Sequence, residues 1–326
     1  MRTHVNVSRR TARGLTVASA TLALALATTA CSSDDKPATT DHPTVVTSTD
    51  VWGSVAQAVV GDKGDVISLF HSPDGDPHEF EPSAADTAKI QDGDVLLYNG
   101  DHYDAYFEEA AQDSKAPKVE ATSFVAGADD HDHDHEATDD DEHDGHHHHH
   151  GDFNEHVFYN LAVVGQSADK VADALSEVSP ANADVFHKNA ADFNTKLTGL
   201  KDRLAAIKAA QGGQKVAATE PLAAYLLTDA GLTDVAPASF TAAVEDGQSP
   251  SAADVATFDD LLSQKQVKAL VYNTQAVDPS TENLLKIARG SGVPVVELTE
   301  SLPAGVTDYI TWQSGQIDQL ERALTT

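Results

Sequence analysis

The stretch SPANADVFHKNAADFNTKLTGLKDRLAAIKAAQGG, residues 179–213, decides how the rest of the chain is divided. Its apolar residues recur at spacings of three and four, as on one face of an amphipathic helix: Phe186, Ala190, Phe193, Leu197, Leu200, Leu204 and Ile207. Pro180 is typical of a helix start, and the glycine pair 212–213 is typical of a helix end. About 30 residues at 1.5 Å each give a rod of about 45 Å, long enough to connect two lobes.

Short β-rich runs alternate with helical stretches on both sides of this helix. The runs are TVVTS, VISLF, VLLYNG and KVEATSF before it, and KVAATE, VKALVYN and VPVVELTE after it. Because continuous apolar runs between helices are typical of parallel strands covered by helices, we predict an α/β fold of two lobes. The N-terminal lobe is residues 44–165, the helical connection 166–213, and the C-terminal lobe 214–326.

Composition excludes one large class of partner. Acidic residues outnumber basic ones 52 to 21, and the formal net charge of the 326 residues is −31 with histidines neutral. Such a surface repels nucleic acid and anionic lipid but concentrates cations. We therefore expect no nucleic-acid partner.

The N-terminus is typical of an exported protein. Four arginines precede the apolar run LTVASATLALALATTA, so we predict that residues 1–30 are a signal peptide. Cys31 follows directly and is the only cysteine of the chain, which suggests that its thiol is lipidated. The polar residues 31–43 then form a flexible tether. We expect membrane attachment only through this lipid anchor, on the extracytoplasmic face.

Three side chains that follow predicted strands, and a fourth at the entry of a predicted helix, could bind a metal ion. They are His78 in DGDPHEFEPS, His156 in NEHVFYN, Glu220 in ATEPLAAYLL and Glu300 in VVELTESLP. Each one alone has an ordinary explanation as a surface histidine or a helix-start carboxylate. Together they give two imidazoles and two carboxylates, two from each lobe, at the strand ends that border a cleft. This set suits Zn²⁺ or Mn²⁺ and disfavours Cu(I).

Five segments in this order resemble the metal-specific solute-binding lipoproteins of bacterial ABC importers for zinc and manganese: DPHEFEPS, NEHVFYN, ATEPLAAYLLTDAGL, VYNTQ and VPVVELTESLP. The resemblance spans nearly all of the mature chain. It implies two α/β lobes with four-stranded, mainly parallel sheets, bridged by one long rigid helix, with the ion in the cleft. It also implies an ABC permease and its ATPase subunit as partners of a monomeric binding protein.

The same resemblance implies which residues bind the ion. His78 and His156 match the first two family histidines. Glu220 stands where many zinc binders have histidine and several manganese binders have glutamate, and Glu300 stands where aspartate is usual. Asn273 stands where other members have a glutamate, so we expect its side-chain oxygen to lie beside the ligands as a weak polar contact and not to bind the ion itself. Because histidine must be neutral to bind a metal, we expect the affinity to fall as the pH drops through about 6.5.

A run rich in histidine and aspartate, residues 129–151, precedes His156. It contains nine histidines: His131, His133, His135, His143, His146, His147, His148, His149 and His150. With almost no apolar residues the run cannot form a core, so we predict a disordered loop. Either it is an ordinary solvated run, or it captures zinc at low affinity and passes it to the cleft. Imidazoles suit zinc better than manganese, so the run favours zinc, with manganese as the alternative.

Two other classes of function compete with metal import. A zinc enzyme would need an open coordination position and typically a His-Glu-x-x-His pair, which the sequence lacks. A surface adhesin or metal buffer without a transporter is the second alternative, and the neighbouring genes would separate it from an importer. We therefore predict a metal carrier with no enzymatic activity.

Overall fold

Two α/β lobes account for the residues that the computed structural model describes, 39–125 and 154–326. The predicted signal peptide, Cys31 and the histidine-rich run 129–151 lie outside these residues. No helix within the described ranges is both long and apolar enough to cross a lipid bilayer.

The N-terminal lobe is built on a parallel sheet of four strands. These are β1 (Thr44–Thr49), β2 (Asp65–Phe70), β3 (Val95–Tyr98) and β4 (Lys118–Glu120), in the order β2-β1-β3-β4. The helices between them are α1 (Asp50–Val60), α2 (Ala84–Asp92) and α3 (Ala105–Gln112). Local sequence fixes the helix starts: the Thr49 hydroxyl accepts from the Trp52 N–H, and Ser83 forms a capping box with Asp86.

Two helices follow the N-terminal lobe. Helix α4 (Leu161–Val178) begins where Asn160 accepts the N–H groups of Ala162 and Val163, five residues before the predicted helical connection. Helix α5 (Ala183–Gln211) is the predicted long helix, with 29 residues, preceded by a 3₁₀ turn at Pro180–Asn182. All seven apolar positions of its predicted stripe are buried.

The C-terminal lobe repeats the parallel arrangement with four strands and five helices. The strands are β5 (Lys215–Ala218), β6 (Thr233–Asp234), β7 (Leu270–Asn273) and β8 (Val295–Leu298), in the order β6-β5-β7-β8. The helices are α6 (Ala224–Asp229), α7 (Ala238–Glu245), α8 (Ala252–Ser263), α9 (Pro279–Ser291) and α10 (Tyr309–Thr325). The predicted fold class, two lobes with parallel four-stranded sheets bridged by a long helix, is confirmed.

One apolar core runs through both lobes. It joins residues of the first sheet, such as Val45, to residues of the second, such as Val216, by way of the buried stripe of α5. Helix α5 contacts α1 and α4 on one side and α6 and α10 on the other. Helix α4 packs closely against α5, because a Cβ added at Gly165 of α4 would lie 2.7 Å from Asn194 Oδ1 of α5. The lobes are therefore held by shared packing and not by a thin hinge.

Two elements of the second lobe were not predicted from the sequence. Strand β6 has two residues, and helix α7 has eight residues with only Phe240 and Val244 buried. Elements this short give almost no periodic signal. Helix α7 matters because it ends at the cleft.

Truncation within the α5 stripe should destabilise both lobes together. Leu197 is 1% exposed within the shared core, so Leu197→Ala should lower the free energy of unfolding by about 2–5 kcal/mol through lost burial and a residual cavity. The exposed neighbour Lys196 provides the control, and Lys196→Ala should change stability by less than about 0.5 kcal/mol. Denaturant unfolding measures both. Separate transitions for the two lobes in Leu197→Ala would contradict a shared core.

Candidate metal centre

His78 reaches the cleft from the loop after β2. The sequence Asp76-Pro77 starts a 3₁₀ turn, Pro77–Glu79, in which the Asp76 carboxylate accepts the N–H of His78 at 2.8 Å. The side chain of His78 is 26% exposed, and its Nε2 lies 3.4 Å from Glu300 Oε2. The predicted loop position of this histidine after a strand is confirmed.

His156 is held in one orientation by its neighbour Asn154. The Asn154 Oδ1 atom accepts from both the backbone N–H and the ring Nδ1 of His156, each at 2.9 Å. The Nδ1 atom therefore carries the proton, and Nε2 keeps a free lone pair. This Nε2 is buried and has no hydrogen-bond partner in the described residues. A buried acceptor without a donor is suited to a cation.

Glu300 follows β8 and links the two lobes at the centre of the site. Its Oε2 accepts from the Tyr103 hydroxyl at 3.2 Å and lies 3.8 Å from His156 Nε2. Its Oε1 accepts from the Asn273 amide at 2.7 Å, and its backbone N–H donates to Gln275 at 2.6 Å. Glu300 is thus a buried carboxylate whose position is fixed by both lobes.

Glu220 follows β5, at the start of the 3₁₀ turn Pro221–Ala223, and is also buried. Its Oε2 accepts from the Asn273 amide at 2.6 Å, and its Oε1 has no hydrogen-bond partner in the part of the chain described. The Asn273 nitrogen therefore bridges Glu220 and Glu300, while the Asn273 oxygen accepts from the Gln275 N–H at 2.9 Å. This orientation turns the Asn273 nitrogen, and not its oxygen, toward the carboxylates.

Glu245 joins the site although the sequence analysis did not select it. It is the last residue of α7, and its Oε1 lies 3.3 Å from His156 Nε2 and 3.6 Å from His78 Nε2. This oxygen is buried and lacks a hydrogen-bond partner among the described groups. Glu245 ends a helix that the sequence pattern did not predict. An acidic residue directly before Asp246-Gly247 is too common a pattern to have singled it out.

Two overlapping triads have the spacing that a metal ion requires. The first is His78, His156 and Glu300, and the second is His78, Glu155 and Glu245, with ligand atoms within 4.8 Å of one another in each. Glu220 belongs to neither triad. Three of the four sequence-predicted ligands are therefore brought together, and the fourth is connected to them through Asn273.

Aromatic rings form one wall of the site. The ring of Tyr103 lies 4.8 Å from that of His78 and 6.0 Å from that of His156, and the Phe158 ring lies 5.7 Å from His156. These edge-on contacts keep water from one side of both imidazoles. They also fix the ring planes, so that the two Nε2 atoms face the same space.

The charges of the site are strongly perturbed because it is buried. Burial raises the pKa of Glu245 to about 9 and that of Glu220 to about 8, with the Glu300 charge adding to both. Burial lowers the pKa of His156 to about 4. Burial also opposes charge on His78, but hydrogen bonding and attraction to Glu300 raise its pKa to about 10. Glu300 is buried as well, yet the His78 ring holds its pKa below the usual range.

The family of the chain follows from its sequence match. Residues 45–323 match the family described as "Zinc-uptake complex component A periplasmic" (ZnuA). The chain belongs to this family. The match includes both lobes, the connecting helices and every residue of the two triads.

Individual relatives agree with this assignment. Zinc-binding protein AdcA of Streptococcus pyogenes serotype M3 is 30% identical over 277 residues, which cover 81% of this chain and 52% of AdcA. The chain thus spans about half the length of that relative. Manganese-binding lipoprotein MntA of Bacillus subtilis is 24% identical over 276 residues, 84% of this chain and 85% of MntA.

A solved structure supports the fold. The solute-binding protein FpvC of Pseudomonas aeruginosa, in complex with Mn²⁺, is similar with a TM-score of 0.65 and 22% identity. The match covers 87% of this chain and 98% of FpvC.

Metal binding to this site should release protons at neutral pH. A metal displaces the protons that the raised pKa values keep on His78 and Glu245, whereas His156 is already neutral. The affinity should therefore fall about tenfold per pH unit for each proton displaced, starting below about pH 9 and not at the 6.5 expected from an ordinary histidine. Calorimetric titration in buffers of different protonation enthalpy measures the proton count. An affinity independent of pH between about 6 and 9 would contradict these charge states.

Proposed function

We propose that this protein is the extracytoplasmic substrate-binding component of an ABC importer for a divalent metal ion, zinc in preference to manganese. In this proposal it captures the ion in the cleft between its lobes and delivers it to a membrane permease driven by an ATPase subunit. One observation carries the proposal: two imidazole Nε2 atoms each lie within 3.8 Å of two carboxylate oxygens in the cleft of a chain that belongs to a zinc-uptake family.

His78, His156 and Glu300 are the ligands that this proposal requires. The fourth donor is a carboxylate, for which the sequence suggests Glu220 and the geometry offers Glu245. Two imidazoles with two carboxylates suit both metals, and the usual order of affinities places zinc above manganese. The zinc-binding relative AdcA supports zinc, and the manganese-binding relative MntA keeps manganese as the alternative.

The ligand set favours carrying the ion over using it in catalysis. Four protein ligands complete a tetrahedral zinc shell, so no position is left for a reacting water or substrate. Catalytic zinc sites typically keep three protein ligands and an open position. The arrangement thus suits storage and transfer of the ion.

Capture and release should involve small movements of the lobes. Besides the shared core, the Tyr309 hydroxyl donates to the Phe158 carbonyl at 2.6 Å, and the Tyr159 hydroxyl donates to the Thr299 carbonyl at 2.8 Å. These bonds connect the residues just before α4 to residues that follow β8, so they restrain rotation of one lobe against the other. Release then requires that docking on the permease distorts the site locally.

The proposal places the protein on the extracytoplasmic face of the membrane. The relative MntA is named a lipoprotein, and this chain has one cysteine directly after an apolar N-terminal run. We infer that Cys31 carries the lipid and that the folded lobes act as a monomer. Mass spectrometry of the N-terminal peptide from membranes tests the lipid, and an unmodified Cys31 thiol would contradict it.

Competitive titration with Zn²⁺ and Mn²⁺ tests the proposed function directly. The protein should bind one zinc ion per chain tightly, and His156→Ala should weaken that site by more than about 100-fold because a direct ligand is lost. His187→Ala is the matched control, since His187 is an exposed histidine on α5. Absence of a tight site, or equal affinities in both variants, would contradict the proposal.

A deletion tests the histidine-rich run separately. Without residues 129–151 the tight site should remain, and only weaker additional zinc sites should disappear. Loss of the tight site in this deletion would contradict the capture hypothesis.

A further inference from the structure

We propose that Glu245 is the fourth ligand of the dication and the ligand through which the ion exchanges with solvent. This inference rests on the proposed function, because it completes the same site. It differs from the sequence prediction, which gave the fourth position to Glu220.

The Glu245 oxygen lies at distances from the two imidazole nitrogens that suit neighbouring ligands of one ion. Its Oε1 is 3.3 Å and 3.6 Å from the Nε2 atoms of His156 and His78, and Glu300 Oε2 is 3.8 Å and 3.4 Å from the same two nitrogens. In a tetrahedral zinc site with bonds of about 2.0–2.2 Å, neighbouring ligand atoms lie about 3.3–3.6 Å apart. Four ligand-to-ligand distances are therefore near the required value before any ion is bound.

Glu220 is placed differently with respect to the imidazoles. It belongs to neither triad, and its Oε2 shares the Asn273 amide with Glu300. A carboxylate that shares a hydrogen-bond donor with a ligand helps to orient that ligand. Glu220 therefore acts through Asn273 on Glu300, and Glu245 faces the imidazoles directly.

Exposure identifies the side from which the ion enters and leaves. The side chains of His156 and Glu300 are 0% and 2% exposed, whereas those of Glu245 and His78 are 13% and 26% exposed. Glu155 completes a triad with these two more exposed ligands. An ion that leaves His156 and Glu300 thus keeps His78 and Glu245 and meets the Glu155 carboxylate on the way to solvent.

The backbone that carries Glu245 is anchored less firmly than the backbone that carries Glu300. Helix α7 is anchored by two buried side chains, Phe240 and Val244, and is followed by a loop in which Gly247 has a φ of +63°. Glu300, in contrast, directly follows a strand of the second sheet. Elements with few buried contacts open at the lowest free-energy cost, so Glu245 can withdraw while the sheets stay in place.

Two isosteric substitutions separate the two carboxylates. Glu245→Gln and Glu220→Gln each replace one carboxyl group of the cleft by an amide of the same shape, and Glu109→Gln makes the same replacement on the exposed face of α3. Zinc affinity is measured by competition with a chromophoric chelator, and the dissociation rate by stopped-flow mixing with excess chelator. Thermal unfolding in the presence of the chelator checks that each variant folds.

Glu245→Gln should weaken zinc binding by more than about 100-fold, because it removes a ligand. This loss of affinity should be at least about ten times the loss in Glu220→Gln, which removes only a residue that orients a ligand. Most of the loss in Glu245→Gln should appear as faster dissociation. Glu109→Gln should match the unsubstituted protein. In Co²⁺-loaded protein, Glu245→Gln should also reduce the visible absorption that a tetrahedral site produces.

The outcomes distinguish the inference from the function on which it rests. Tight zinc binding that survives in Glu245→Gln, or becomes tighter, would overturn the role of Glu245 while leaving the proposed function intact. A loss confined to Glu220→Gln would assign the fourth ligand to Glu220 instead. Weak binding by the unsubstituted protein would overturn both.

Discussion

Burying several carboxylates beside two imidazoles is the constraint on which the rest of the structure depends. Glu220, Glu245 and Glu300 are all removed from water within one cleft, and their charges oppose one another. Isolated buried carboxylates are unstable as anions, so they must hold protons or share a cation. In the metal-free state two of them hold protons and the third pairs with His78. A dication placed among these groups would replace those protons and balance the carboxylate charges.

The scaffold stabilises this arrangement by holding the groups in place. His78, Glu220 and Glu300 lie beyond the ends of parallel strands, where loops from both sheets meet at the cleft, and His156 lies just before helix α4. A core shared through α5 keeps the two sets of loops at a fixed spacing. Neighbours then set each ligand: Asn154 fixes the proton of His156, and Asn273 and Tyr103 fix Glu300. The donor atoms are therefore positioned before the metal arrives.

The sequence predicted those features of the fold and of the site that depend on local residue patterns. The stripe of α5 could be predicted because seven buried residues repeat with the period of a helix. His78 and Glu300 could be predicted because each follows a strand, and His156 because it stands at the entry of a helix. Glu245 could not be predicted from the sequence, because α7 has only two buried residues and the position of this helix depends on how it packs against the second lobe. The role of Asn273 was also hidden. Residue type alone cannot tell whether its amide presents nitrogen or oxygen to the site.

In the proposed site both lobes bind one dication through His78, His156, Glu300 and Glu245. Anomalous X-ray diffraction from crystals of the zinc-loaded protein, recorded at the zinc absorption edge, tests it most directly. We expect one peak in the cleft within about 2.0–2.2 Å of one atom from each of these four side chains. A peak bound by Glu220 in place of Glu245, or no peak in the cleft, would contradict it.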